Sequence, residues 1–190
     1  MTIAICPDPF YIFRYIHTDR EKALFATLQK RKKVVDDTRT IKTLNLDEEL
    51  FASYGRILTP RKDETPEVSE AGIFDFYVPF SDSSQGWQIG YLVNVAKRID
   101  TLERHPNTPE VFSPLGGKSV LVVSEDPGDP DSIFGFFLSK PIVFNRGTWH
   151  GVISITKTSE ILIVESPDVI DEFFHLPFAV TVSEWKEDYV

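Results

Sequence analysis

The stretch that decides the fold is residues 102–117, which read LERHPNTPEVFSPLGG. Glu103 and His105 stand two positions apart in it. Successive side chains of a β-strand point to opposite faces, so a strand here places both of these side chains on one face. Arg104, which lies between them, then points to the other face. The spacing therefore predicts a strand that presents a carboxylate and an imidazole side by side.

The second half of the same stretch predicts a turn and a returning strand. Pro106 and Pro109 end the first strand, because proline cannot donate a backbone hydrogen bond, and the Asn-Thr pair between them favours a turn. A second strand then carries Glu110 back alongside the first. The two glycines at positions 116 and 117 end this unit. We thus expect the carboxylate of Glu110 close to the carboxylate and imidazole of the first strand.

A later segment repeats this design. Residues 145–150 read NRGTWH, in which a glycine-containing turn is followed by a histidine entering a strand. Folding is expected to gather the four candidate site residues Glu103, His105, Glu110 and His150. Two imidazoles that titrate near neutrality suit acid–base catalysis, and the same donors suit Fe(II), Mn(II), Ni(II) or Zn(II). A pair of interior histidines with a purely structural role is the alternative to both.

Composition narrows the class of protein. The net charge of −9 argues against a nucleic-acid partner, which requires clustered Lys and Arg. A single cysteine, Cys6, allows no intramolecular disulfide, and the N-terminus does not have the pattern of a signal peptide. No apolar run reaches the roughly 18 residues that a membrane span requires. The sequence predicts a cytoplasmic protein that binds neither nucleic acid nor membranes.

Two regions are predicted along the chain of 190 residues. Residues 1–37 form an N-terminal extension: an aromatic-rich edge strand or arm at residues 10–15, then a helix over residues 19–33 that begins with a capping box at Thr18 and Glu21. Residues 38–190 form one domain.

The domain is predicted to be all-β, because short apolar runs alternate with turn signals about every ten residues. Alternation is clearest at residues 87–95, where Trp87, Ile89, Tyr91, Val93 and Val95 share one face. Short helices are predicted at residues 47–54 and 168–174, and a charged loop at residues 60–70. The pattern is typical of a β-sandwich or barrel.

The candidate site resembles the cupin family of β-barrels. Glu103-x-His105 followed by Glu110 is similar to the first cupin motif, with Glu replacing one His, and Gly147-Thr148-Trp149-His150 is similar to the second. The resemblance implies a cupin-like β-barrel, also called a double-stranded β-helix or jelly roll. Many such barrels pair through edge strands, so it also implies a homodimer.

Three stretches resemble the ureidoglycolate lyase family (formerly ureidoglycolate hydrolase), a cupin-like family of allantoin and purine breakdown. They are residues 51–55 (FASYG), residues 102–106 (LERHP) with Phe112 and Pro114 beyond, and residues 146–150 (RGTWH). The chain departs from the family in three places. Residues 82–95 lack the family's Asn-Asn-Gly turn and its Arg/His/Asp group. Gly116 stands where the family has Lys, and Glu110 stands where the family commonly has Gln.

This second resemblance implies that the substrate is a small carboxylate, ureidoglycolate, split to glyoxylate and urea. It implies acid–base roles for His105 and His150, with Glu103 or Glu110 orienting one of them and Glu103 counted among the catalytic residues. It also implies a substrate site with Arg146 and Glu110, where the planar guanidinium binds the carboxylate. Two alternatives stay open: a non-catalytic cupin-type binding domain, and a metal-dependent cupin isomerase or dioxygenase with the metal on the four-residue cluster.

Overall fold

The computed structural model describes residues 13–15, 37–83 and 86–183, and these residues form an almost entirely β structure. The predicted helix over residues 19–33 lies outside the described residues. The aromatic stretch near position 13 does contribute an edge strand, Phe13–Tyr15, which pairs with the last strand of the chain. Among the described residues, no helix is long and apolar enough to cross a membrane.

The elements follow one another along the chain. They are β1 (Phe13–Tyr15), β2 (Thr38–Ile41), β3 (Thr43–Leu44), α1 (Glu48–Phe51), β4 (Gly55–Ile57), β5 (Val68–Glu70), β6 (Phe74–Phe76), β7 (Gln88–Asn94), β8 (Ile99–Arg104), β9 (Glu110–Gly116), β10 (Ser119–Ser124), a 3-10 helix (Pro130–Ser132), β11 (Ile133–Phe137), β12 (Ile142–Phe144), β13 (Trp149–Ser154), β14 (Ser159–Glu165) and β15 (Asp171–Val182).

Two main sheets make up the domain. The larger has the order β1-β15-β8-β13-β10-β11-β3, with β2 paired to β15, and the smaller has the order β4-β12-β9-β14-β7. The inward side chains of both sheets meet in one core that includes Leu121, Val123 and Phe136 from the larger sheet and Phe112 and Ile161 from the smaller. This arrangement confirms the predicted all-β, cupin-like fold.

A second apolar cluster covers the opposite face of the larger sheet. Leu102 on β8 and Val122 on β10 lie in it, together with Phe178 and Val180 from the second half of β15. Alternation along each strand explains the division, since the neighbours of these residues point into the barrel. Burying each large apolar side chain contributes roughly 1.5–3 kcal/mol, so both faces of the larger sheet are stabilised.

Helix α1 lies within the short helix that the sequence predicts over residues 47–54, and it packs against the core. Asp47 is its N-cap: Oδ1 accepts hydrogen bonds from the backbone N–H of Glu49 at 2.9 Å and of Leu50 at 3.1 Å. Phe51, fully buried, packs edge-on against Phe136 at 5.4 Å between ring centroids. Gly55 follows the helix, and its backbone passes so close to β12 that an added Cβ would lie 2.1 Å from the carbonyl oxygen of Val143.

Two sequence predictions are wrong. The predicted helix over residues 168–174 is largely strand, because β15 begins at Asp171 and pairs there with both β1 and β8. A helix of so few residues is marginal, whereas pairing on both sides satisfies its backbone hydrogen bonds. The predicted charged loop at residues 60–70 ends in strand β5, which pairs with β6 across a turn at Gly72.

Candidate active site

Strands β8 and β13 place the first two site residues opposite each other. His150 pairs directly with Glu103 in the antiparallel register, so both side chains point into the barrel. The ring of His150 is 1 % exposed, whereas the side chain of Glu103 is 39 % exposed. Nε2 of His150 lies 3.7 Å from Oε1 of Glu103. The pair therefore joins a buried imidazole to a carboxylate that solvent can reach.

The turn between β8 and β9 is held in place by the loop before β13. Gly147 donates its backbone N–H to the carbonyl of His105 at 2.9 Å, and Nε of Arg146 donates to the carbonyl of Asn107 at 2.9 Å. Gly147 has φ of 78°, a left-handed conformation that favours glycine in this turn. These bonds join the two segments that the sequence identified separately.

Glu110 lies between the two imidazoles. Its Oε2 atom is 3.1 Å from Nε2 of His105, with which it is hydrogen-bonded, and 2.9 Å from Nε2 of His150. The two rings are 5.3 Å apart between centroids. All three side chains are almost completely buried. The predicted cluster of two imidazoles and two carboxylates is therefore assembled inside the barrel.

The ring of His150 is fixed on every side. It stacks on Phe144 with a centroid distance of 4.3 Å and an interplanar angle of 18°, and it meets Phe112 edge-on at 5.9 Å. Nδ1 lies 3.0 Å from the carbonyl oxygen of Thr148, which can only accept, so Nδ1 carries a proton. Nε2 is consequently the atom that points toward the carboxylates.

Electrostatics couples these groups strongly. Burial by itself lowers the pKa of His105, but contacts with Asp171 and Glu110 outweigh burial and raise the pKa to about 10. Burial by itself raises the pKa of Glu110, but the hydrogen bond with His105 and the close contact and charge of His150 outweigh it and lower the pKa to about 2. At neutral pH the geometry favours an ionised Glu110 beside a protonated His105.

The pKa values of His150 and Glu103 are both raised. Burial lowers the pKa of His150, but the Glu110 carboxylate outweighs burial and raises it. Burial raises the pKa of Glu103, with the charge of Glu110 adding to the rise and His150 opposing it. Each of these two groups therefore holds its proton more tightly than it would in water.

Two acidic residues of the site were missed in the sequence. Oδ1 of Asp171 lies 3.1 Å from Nδ1 of His105. A carboxylate oxygen of Glu165 lies within 4.8 Å of donor atoms of both His105 and Glu110, and it accepts a hydrogen bond from Gln88 at 2.9 Å. Asp171 and Phe173 are two residues apart, so in a strand both side chains point to the same face as Glu103, with which Phe173 pairs. This relation can be recognised only if the segment is predicted to be a strand.

Arg146, predicted to bind substrate, and Arg104, predicted to point away from the site, both lie outside the cluster. Arg146 is 45 % exposed in its side chain; it contacts Asp82 through Nη2 while Nε holds the turn carbonyl at position 107. Arg104 points to the opposite face of β8, as predicted, where it pairs with Glu172 at 2.6 Å and stacks over Trp149 at 4.5 Å. Arg146 therefore lies at the rim, and Arg104 makes its contacts on the opposite face of the strand.

The same donors form two overlapping groups with the spacing of metal ligands, among the residues that the structure describes. One group is Glu103, His105 and His150, and the other is His105, Glu110 and Glu165. Nε2 of His150 is buried and makes no aligned hydrogen bond within the described ranges, although carboxylate oxygens lie 2.9 and 3.7 Å away. Ligand bonds of about 2.0–2.2 Å place donors about 3–3.5 Å apart around an ion, so the donor set fits a divalent cation.

Comparison with known proteins gives a consistent result. The family model described as ureidoglycolate lyase matches residues 38–180. A ureidoglycolate lyase of Rhizobium etli is 34 % identical over 92 residues, which are 43 % of this chain and 55 % of that protein. Those of Brucella anthropi (26 % over 145 residues, 68 % of this chain and 86 % of that protein) and Chelativorans sp. (24 % over 160 residues, 73 % and 94 %) align over more of their length.

Proposed function

This chain belongs to the ureidoglycolate lyase family, and we propose that it cleaves ureidoglycolate, a small carboxylate, to glyoxylate and urea. The observation that carries the proposal is the buried Glu110 carboxylate flanked by two imidazoles, with the solvent-accessible Glu103 beside them. It offers a proton acceptor and proton donors at one point inside the barrel, which the reaction requires.

The reaction breaks one carbon–nitrogen bond. A base removes the proton of the carbinol hydroxyl, the C–O bond becomes the aldehyde C=O of glyoxylate, and the C–N electron pair leaves with the urea nitrogen. An acid then supplies the proton that completes urea. Proton removal at one end and donation at the other therefore have to occur on two groups held a few ångströms apart.

We assign the base to Glu103 and the acid to His150. Glu103 is the more exposed of the two and has a raised pKa, so it can take the hydroxyl proton of a substrate entering from solvent. Nε2 of His150 faces the same space, and the neighbouring Glu110 carboxylate outweighs burial and raises the pKa of this imidazole. In this arrangement Glu110 lines the substrate site but acts by holding both imidazoles, and His105 supplies positive charge toward the substrate carboxylate.

Arg146 is proposed to bind the substrate carboxylate at the rim. Its Nε hydrogen bond to the carbonyl of Asn107 holds the guanidinium beside the turn that carries His105. The ion pair with Asp82 supports this proposal, because the guanidinium already donates to a carboxylate at this position. Substrate binding at this position requires exchange of the Asp82 carboxylate for that of the substrate.

A divalent metal is the second candidate for the same site. The acidic donors Glu103, Glu110 and Glu165 beside two imidazoles favour a cation, and Fe(II), Mn(II), Ni(II) or Zn(II) would be held by His105 and His150 with those carboxylates. A bound metal would polarise the oxygen atoms of the substrate as a Lewis acid. A metal-dependent reaction of another type would then be the alternative activity.

The test is turnover of ureidoglycolate by the purified protein, with metal content measured on the same sample before and after chelation. Release of equal amounts of glyoxylate and urea, without ammonia, supports the lyase reaction. His150→Gln and Glu103→Gln are expected to lower kcat by about 10²–10⁴-fold. His175→Ala, which changes an exposed histidine on β15, is the matched control and should keep the full rate.

Each outcome separates the candidates. Turnover that persists after chelation supports the acid–base roles proposed here. Stoichiometric metal without ureidoglycolate turnover moves the protein to a different metal-dependent reaction, and absence of both metal and turnover supports a binding domain. Full activity of His150→Gln would contradict the assignment of the acid.

A homodimer through β7 is part of the proposal. β7 is the last strand of the smaller sheet among the described elements, and it presents an apolar face to solvent. The exposed fractions on this face are 71 % for Trp87, 58 % for Ile89, 59 % for Tyr91, 57 % for Val93 and 63 % for Val95. A row of this kind marks an interaction surface, and an edge strand pairs with its copy across a two-fold axis.

The solution mass tests the dimer. Light scattering on wild-type protein should give twice the chain mass of 21.7 kDa, and Tyr91→Glu should give a monomer. Leu50→Glu, at a similarly exposed position on α1, is the control and should leave the mass unchanged. A monomeric wild type would contradict the proposal. A cytoplasmic location is proposed as well, supported by the single cysteine of the chain.

A further inference from the structure

Asp171 is an acidic residue at the site that the proposed reaction does not use directly. It is the first residue of β15 and pairs with Tyr15 of β1 in the backbone register. Its carboxylate reaches into the barrel, with 15 % of the side chain exposed, and Oδ1 lies 3.1 Å from Nδ1 of His105. The partner ring is almost completely buried and contacts Glu110 through its other nitrogen.

We propose that Asp171 is a positioning residue that fixes the ring orientation of His105 through its contact with Nδ1, so that Nε2 faces Glu110. The expected effect of Asp171 on catalysis rests on the proposed function, whereas the contact between Asp171 and His105 is independent of it. A histidine ring has two orientations related by a half-turn about its Cβ–Cγ bond. A carboxylate at Nδ1 selects one of them, and that selection determines which nitrogen faces the reacting groups.

The order of contacts supports this assignment. Asp171, His105, Glu110 and His150 follow one another with atom separations of 3.1, 3.1 and 2.9 Å. Nδ1 of His150 ends the series on a backbone carbonyl, so one ring is oriented by Thr148 and the other by Asp171. Both rings thereby present Nε2 to the same carboxylate oxygen. Removing Asp171 leaves the first ring without its orienting contact.

The next residue on the strand is a matched control. Glu172 also forms an ion pair, with Arg104 at the end of β8 at 2.6 Å, but it does so on the opposite face, outside the cluster. Asp171 and Glu172 thus share the strand and the charge, and their partners, His105 and Arg104, are neighbours in the chain. Only Asp171 contacts a residue of the candidate site. An effect seen on replacing Asp171 but not Glu172 therefore indicates a positioning role and not a general contribution of β15 to stability.

The first experiment observes the ring itself and does not depend on turnover. Metal-free protein with ¹⁵N-labelled histidine has four imidazoles to resolve. The Nδ1–H of His105 is expected to exchange slowly with water in the wild type, to exchange rapidly in Asp171→Ala, and to stay slow in Glu172→Ala. An unchanged slow signal in a folded Asp171→Ala protein would overturn the proposal.

The second experiment measures catalysis. Asp171→Asn, which keeps the shape, is expected to lower kcat roughly 10- to 100-fold, the usual effect of losing an orienting carboxylate, with KM changed less. Glu172→Gln should retain the wild-type kcat. Because Asp171 acts through His105, the double variant Asp171→Asn/His105→Asn should be no slower than His105→Asn alone. Losses that multiply in the double variant would overturn the proposal.

The two experiments distinguish failure of this inference from failure of the proposed function. A wild type that does not cleave ureidoglycolate, but shows the slow Nδ1–H signal and its loss in Asp171→Ala, contradicts the lyase reaction and leaves the positioning contact supported. Active wild-type protein with full kcat in Asp171→Asn contradicts the positioning role and leaves the lyase reaction supported.

Discussion

Replacing Glu110 by Gln is expected to destabilise the metal-free protein at neutral pH. Gln has nearly the same shape and still offers an oxygen to the two imidazoles, but it has no charge. The side chains of Glu110 and His105 are each only 6 % exposed, so solvent does not screen the interaction that is lost. The change therefore isolates the electrostatic contribution of one buried carboxylate.

The magnitude follows from the proton affinity of Glu110. Its pKa is lowered from 4.5 to about 2, and a tenfold change in proton affinity is about 1.4 kcal/mol. The ionised carboxylate thus contributes about 3 kcal/mol to the free energy of unfolding at pH 7. For a domain of this size, this corresponds to a decrease in Tm of roughly 6–12 °C.

The pH dependence gives the sign of the effect. Because the folded pKa of Glu110 is lowered, its contribution is complete above pH 4.5 and is lost as the pH falls toward about 2. The pKa of His105 is raised from 6.5 to about 10, so its contribution is complete below pH 6.5 and is lost as the pH rises toward 10. The difference between wild type and Glu110→Gln should be largest between these limits.

The assay is thermal unfolding of both proteins in the presence of a chelator at about pH 6 and at pH values on either side. Glu67→Gln, an exposed charge change, serves as the control and should shift the free energy by no more than about 0.5 kcal/mol. Equal stability of wild type and Glu110→Gln at pH 6, or a difference that does not shrink toward acid pH, would refute the reasoning.

Three further outcomes are expected. Gly55→Ala should destabilise the fold and lower Tm in a thermal melt, since the new Cβ would lie 2.1 Å from the backbone oxygen of Val143; wild-type Tm would show that β4 can shift. Phe136→Ala should cost roughly 3–5 kcal/mol in denaturant unfolding, because the ring is buried in the barrel core, and a loss below 1 kcal/mol would contradict that packing. Arg146→Lys should raise KM for ureidoglycolate more than it lowers kcat, because Lys cannot replace a bidentate guanidinium; an unchanged KM would remove Arg146 from the binding site.

Local sequence patterns were sufficient wherever the environment of a residue follows from its neighbours in the chain. The two-residue spacing of Glu103 and His105 and the prolines after them predicted a strand, its inward face and its end, and Arg104 was correctly placed on the other side. The acidic residues at positions 47–49 and the glycine at position 55 likewise predicted a short helix, and α1 lies within it. In each case the signal comes from residues that are close together in the chain.

Prediction failed where pairing with a distant strand decides the backbone. Residues 168–174 have a composition compatible with a short helix, but β8 and β1 are available on both sides of the segment and make it a strand. The error concealed Asp171, since its inward direction is a property of that strand. Likewise, the apolar face of β7 is visible in the sequence, but only the sheet order places it on the outside.

The sequence alone determined the all-β class and the two segments that carry the candidate site, and it predicted Glu103, His105, Glu110 and His150 as its members. Only the tertiary structure decided how they interact: that Glu110 lies between both imidazoles, that Asp171 contacts His105, and that Arg146 stays at the rim. The physical reason is that charge coupling depends on distances of about 3 Å and on burial, which arise when strands far apart in the chain are brought into register.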